Sequence, residues 1–156
     1  MKATHPYSAE IEAERQGWYE IVDLVRSLTP DECLEPGYWR DPDWTVRDLV
    51  AHLGTWQAKA QQQFERITAG TYAPHEVDVD ALNAELLAAM SGQPWDVAWV
   101  QANSARTRMV QEWWLLQKPF NDAAWWIRKS GCDHYAEHLS RLREWTADVI
   151  SRRPAE

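Results

Sequence analysis

The chain has 156 residues, the size of one domain with a single sizeable core. Its 24 acidic and 16 basic side chains leave a net charge of −8, which argues against nucleic acid as the main partner, since phosphate binding needs a basic face. Two cysteines are too few for a disulfide framework, and no run approaches the roughly 18 apolar residues of a membrane span. The N-terminus lacks the apolar core of a signal peptide, so a cytoplasmic domain is expected.

In chain order, the spacing predicts a first helix over about residues 8–28, with Ile11, Trp18, Ile21, Val22, Val25 and Leu28 in one stripe. Thr29-Pro30-Asp31-Glu32 reads as a capping box opening a short turn of helix. EPGYWRDPDW then reads as a loop. A second capping box, Thr45 with Asp48, opens a long helix whose apolar face is Val46, Leu49, Val50, Leu53, Trp56, Phe64 and Ile67, with Gly70 as its stop. DVDALNAELLAAM predicts a shorter helix ended by Ser91-Gly92. Pro94 opens a third long helix to about residue 116, carrying Trp95, Trp99, Ala102, Met109, Trp113 and Leu116 in register. The connection QKPFNDAAWWIRK has room for a helical turn, and Ser130 with Asp133 suggests a third capping box before a last helix to about residue 151. Strand signals are absent. Four long amphipathic helices with minor helices between them indicate an all-α four-helix bundle, with residues 1–156 forming one domain.

Three histidines stand out. His138 shares a stripe with Leu142, Trp145 and Val149, His134 sits one turn earlier nearer the margin, and His52 borders the apolar face of the second helix. From opposing walls of a bundle, three such imidazoles can meet on one cation. The alternative is three separate core histidines with backbone or water partners, and an isolated His-x-x-x-His is weakly specific. Leaving several buried imidazoles unsatisfied would cost about 1–3 kcal/mol each, which favours a shared task.

The strings WTVRDLVAHLGTWQ and HYAEHLSRLREW resemble the DinB-like superfamily, which includes the metal-binding domain of mycothiol-dependent maleylpyruvate isomerases and related thiol S-transferases. DVDALNAELLAA is similar to the segment between the second and third bundle helices of those proteins, so the likeness spans nearly the whole chain. The resemblance implies a DinB-type bundle, often homodimeric, with a divalent metal held by His52, His134 and His138. The isomerases commonly carry Glu at the first position of the last pair, so the all-histidine set resembles the DinB and S-transferase branches. They also carry a further C-terminal domain with no counterpart in these residues, so shared metal chemistry is implied rather than isomerisation.

Three imidazoles leave coordination positions open, as catalytic sites do; Zn²⁺ is the first expectation, with Ni²⁺ or Fe²⁺ also suited to imidazole. Such a cation deprotonates a low-molecular-weight thiol of mycothiol or bacillithiol type, the nucleophile for a small-molecule electrophile, or activates water for hydrolysis. Asp48 and Glu137 are candidate partners of the imidazoles, Cys132 a candidate fourth ligand, and Arg128 and Lys129 candidate contacts for a carboxylate, each set against a plain capping, packing or surface role. Gly54 either makes room for a ligand or admits a neighbouring helix. His5 and His75 receive no role. Eleven tryptophans suit a core and an interface, or an aromatic-lined pocket. A metal-free bundle that sequesters a hydrophobic molecule, as self-resistance proteins do, is therefore the rival expectation.

Overall fold

The computed structural model describes residues 4–40 and 43–156. Residues 41–42 of the expected loop and the first three residues of the N-terminal segment lie outside them. The described residues are mostly helical: α1 (Ser8–Arg26), a 3₁₀ turn (Glu32–Leu34), a hairpin of β1 (Trp39–Arg40) and β2 (Asp43–Trp44), then α2 (Val46–Ala69), α3 (Val79–Met90), α4 (Trp95–Leu115), α5 (Asn121–Ser130) and α6 (Cys132–Ser151). No helix among them is long and apolar enough to cross a membrane.

Local chemistry accounts for most of these boundaries. Thr45 Oγ1 accepts from the Asp48 amide while Asp48 accepts from the Thr45 amide, so the predicted capping box starts α2. Gly70 ends α2 at φ 73°, the left-handed conformation in which glycine avoids a Cβ penalty. Thr29 and Glu32 form the same reciprocal pair before the 3₁₀ turn. The stripe predicted for α1 is buried throughout, as is that of α2 up to Phe64, with Ile67 half-buried.

Three expectations need correction. The loop after the 3₁₀ turn holds an antiparallel hairpin, with Trp39 paired to Trp44 and Arg40 to Asp43. Two residues per strand are too few to show an alternating pattern. The connection before the last helix is the ten-residue α5, which buries Ala123, Trp126 and Ile127 rather than making a single turn. Ser130 and Asp133 form no capping box: Ser130 is the last residue of α5, and Gly131 takes the N-cap position. A Cβ on Gly131 would stand 2.7 Å from the Ile127 carbonyl oxygen and 3.3 Å from Glu14 Cγ, so this tight α5–α6 corner requires glycine.

Helix α2 packs against α3, α4 and α5, while α6 packs against α1 and α5. Gly54 lets α2 and α4 approach closely, since a Cβ there would lie 2.9 Å from the Ala102 Cα. Packing, not a ligand, explains that glycine. Apolar side chains gather in two clusters. One joins Trp18, Ile21, Leu49, Leu53, Leu142 and Trp145; the other joins Ile11, Trp56, Phe64, Met109, Trp113 and Trp126. Of the eleven tryptophans, Trp18, Trp56, Trp113, Trp126 and Trp145 are core residues, and Trp39, Trp114 and Trp125 are exposed.

Candidate metal centre

Two helical turns after its cap, α2 presents His52, and the corner at Gly131 sets α6 so that His134 and His138 face it. The Nε2 atoms of His52 and His134 lie 2.8 Å apart. Ring centroids are separated by 4.7 Å for His52 and His134, 5.4 Å for His52 and His138, and 5.2 Å for His134 and His138. One nitrogen from each of the three falls within 4.8 Å of the others, a grouping able to hold a metal ion. The three predicted residues are thus brought together. Their relative burial is the reverse of the expectation: His134 is only 3% exposed and His138 is half-buried. Trp56, with its ring 6.0 Å from His134, helps cover the first turn of α6.

Burial penalises the imidazolium forms. His52 is pushed down to about 3 by burial, with further repulsion from His138 and Lys129. His138 is pushed down to about 4 by burial, and His134 falls well below its usual value through burial and the charges of His52, His138 and Lys129. All three rings are therefore neutral at pH 7 and keep lone pairs for a cation. Two ring nitrogens 2.8 Å apart need either one shared proton or a cation beside them. His134 Nδ1 is buried with no partner among the described residues. A cluster of neutral imidazoles, with no carboxylate grouped with them among the described residues, fits a divalent cation of intermediate softness.

These shifts fix the acid behaviour of the metal-free protein. Each ring is neutral when folded and takes a proton when unfolded near pH 6.5, so the unfolded chain binds more protons and stability falls as pH drops. The loss begins below about pH 6.5 and runs down to the folded values of about 4 for His138 and about 3 for His52. Urea unfolding of metal-free protein at pH 7 and pH 5 is expected to show a loss on the order of 1–2 kcal/mol per histidine. Replacing His52 and His138 together with Gln should flatten the dependence; an unchanged slope would place the titration elsewhere.

The two candidate partners of the imidazoles take the plain capping and surface roles weighed against them. Asp48 caps α2 and pairs with Arg47, and Glu137 is exposed. Tyr38, fully buried behind the hairpin, instead places its hydroxyl 3.3 Å from His138 Nδ1. If that nitrogen donates to Tyr38, Nε2 is left with its lone pair for the site. Arg141 fixes this loop by donating to the carbonyls of Gly37 and Tyr38. Trp44 lies 5.0 Å from His52 and stacks at 6.4 Å on His138, with Trp39 edge-on at 6.2 Å. Nothing local in the sequence marks Tyr38, which is a hundred residues from the imidazole it meets.

Cys132 stays outside the group, its thiol directed at Asp133 and raised by burial. Arg128 lies at the surface, 4.0 Å from Asp133. Lys129 is different: its ammonium sits 5.8 Å from the Trp56 ring centre, and its charge reaches His52 and His134. His5 accepts from the Tyr7 amide, and His75 lies in the loop before α3. Comparison of the chain with protein-family models, curated proteins and solved structures finds no match.

Proposed function

We propose that this chain is a DinB-like four-helix-bundle enzyme in which His52, His134 and His138 hold one divalent cation, zinc first among the candidates. The site would activate a low-molecular-weight thiol of mycothiol or bacillithiol type for transfer to a small electrophile, with water activation for hydrolysis as its other use. The observation that carries this reading is the convergence of three neutral imidazoles from two helices, with two Nε2 atoms 2.8 Å apart. The resemblance of the two histidine-bearing strings supports the family and the thiol, and the four helices of about twenty residues, α1, α2, α4 and α6, support the bundle. A homodimer in the cytoplasm belongs to the same proposal.

When bound, the cation supplies Lewis acidity that lowers the pKa of a thiol or water reaching it. The chain does the rest. Three uncharged donors leave the cation's positive charge unneutralised, which favours an anionic sulfur over a neutral one. Tyr38 orients His138. Trp39 and Trp44 border the site with aromatic surface, and Lys129 adds a positive charge for an anionic group of the thiol or the electrophile.

Metal analysis of untagged protein, followed by thiol-consumption assays with mycothiol, bacillithiol and glutathione against a panel of electrophiles, tests this. About one equivalent of metal per chain is expected, with turnover only in the loaded protein. Folded protein that takes up no metal and consumes no thiol would be a sequestering protein instead.

A further inference from the structure

Beside His52, the side chains of Trp44, Ala51, Leu86 and Met90 help to enclose a void of about 10 Å³, room for about one water. Ala51 and Met90 also line a half-open surface groove of about 410 Å³ along the seam of α2 and α4. Along α2 it extends from Ala51 to Gln61, ten helical steps or roughly 15 Å. Gly54, Ala58, Ala102 and Ala105 form much of its floor and walls, and the exposed Val100 lies on its rim. Small residues alone are what close helix packing produces. Here they leave a space within the usual range of ligand cavities, and the end of that space abuts the chamber containing His52.

The two spaces share only two wall residues. Ala51 has no rotamers to change, whereas Met90, half-buried at the last turn of α3, is unbranched and adaptable. None of the residues of α3 is buried, although the helix is rich in Leu and Ala. It is pinned by polar contacts, Trp56 Nε1 donating to Asn83 and Arg47 donating to the Gln93 carbonyl just beyond its end. A swing of Met90 would join the void beside His52 to the groove without moving α2 or α4.

We propose that the α2–α4 groove holds the apolar tail of an elongated ligand whose single coordinating end group lies against His52, His134 and His138. The placement of the head rests on the proposed metal centre; the groove does not. The substrate class that follows is a largely apolar molecule about as long as the groove, with one polar reactive end, rather than a compact hydrophilic electrophile.

The test is calorimetric titration of zinc-loaded protein with ethanethiol, hexanethiol and decanethiol, the last long enough to reach Ala58 and Ala105 from the histidines, and of metal-free protein with the matching alcohols. Affinity is expected to rise up to about fourfold for each added methylene in both series, the factor for full burial of a CH₂. Ala105→Phe or Ala58→Phe fills the groove from positions that are not fully buried, so the fold is retained, as circular dichroism will verify. Either variant should abolish the chain-length gain while leaving the zinc and ethanethiol affinities at their wild-type values. A flat series in wild type, or a gain that survives both variants, overturns the groove. A gain with alcohols but none with thiols overturns the shared ligand, because the tail would then bind away from the cation. A dimer that Ala105→Phe turns into a monomer with ligand affinity unchanged makes this face a contact between copies, and overturns the proposal too. If wild-type protein takes up no zinc, the proposed function and the head placement fail together, and the alcohol series still decides the groove.

Discussion

His138→Ala is expected to weaken zinc binding by more than about 100-fold while leaving the helical circular-dichroism signal intact. Loss of an outer hydrogen bond to a ligand typically costs 10–100-fold, and loss of the ligand itself must exceed that. The fold should survive because His138 is only half-buried, lies on an α6 whose core contacts are Leu142, Trp145 and Val149, and gives up one hydrogen bond, to Tyr38. Leaving the Tyr38 hydroxyl without that partner costs about 1–3 kcal/mol, enough to lower the melting temperature but not to unfold the chain. Tyr38→Phe separates the roles: it keeps all three imidazoles, so zinc affinity should fall by only about tenfold. Competition with a chromophoric chelator measures both. Equal losses in the two variants would mean that His138 is not a ligand, and global unfolding of His138→Ala would mean that an ion, if present, is structural.

What the sequence reveals and what it hides divide along a physical line. Capping boxes and 3.6-residue stripes are local, so α1, α2 and α4 lie within two residues of their expected ends. The pair His134 and His138 is local too, one helical turn apart, and His52 is legible because it borders a regular stripe. What brings the two helices together is not local. The Gly131 corner depends on Glu14 and Ile127 crowding the space its Cβ would occupy, and the Ser130–Asp133 signature misleads because α5 runs on through Ser130. Tyr38 is hidden for the same reason, since its loop is placed by Arg141, more than a hundred residues away. A different signal was present and carries information: Glu14 falls on the α1 stripe between Ile11 and Trp18, a charge where only apolar side chains are expected. A charge on such a stripe needs a partner, and the partner lies on another helix.

That partner is Arg106, and breaking the pair is the largest stability effect expected in this chain. Glu14 is fully buried and accepts two hydrogen bonds from Arg106, at 2.9 Å from Nε and 2.7 Å from Nη2. The Tyr135 hydroxyl donates to the same carboxylate at 2.9 Å and accepts from Gln57 at 2.8 Å, so α1, α2, α4 and α6 meet in one polar network. Arg106→Met strands a buried carboxylate and is expected to cost about 3–5 kcal/mol. At roughly 2–4 °C per kcal/mol for a chain of this size, the melting temperature should drop by about 10 °C. Glu14→Leu combined with Arg106→Met should cost less than Arg106→Met alone, because no buried charge is left and only the Tyr135 hydroxyl loses a bond. The network also fixes the rotation of α6 through Tyr135, the neighbour of His134, and its loss should loosen the imidazole cluster. The double variant should therefore recover stability yet bind zinc more weakly than wild type. Calorimetric melting and zinc titration of the two variants check both halves. A cost below about 1 kcal/mol for Arg106→Met would show that water reaches Glu14 and screens it, and wild-type zinc affinity in the double variant would free the metal centre from any dependence on this network.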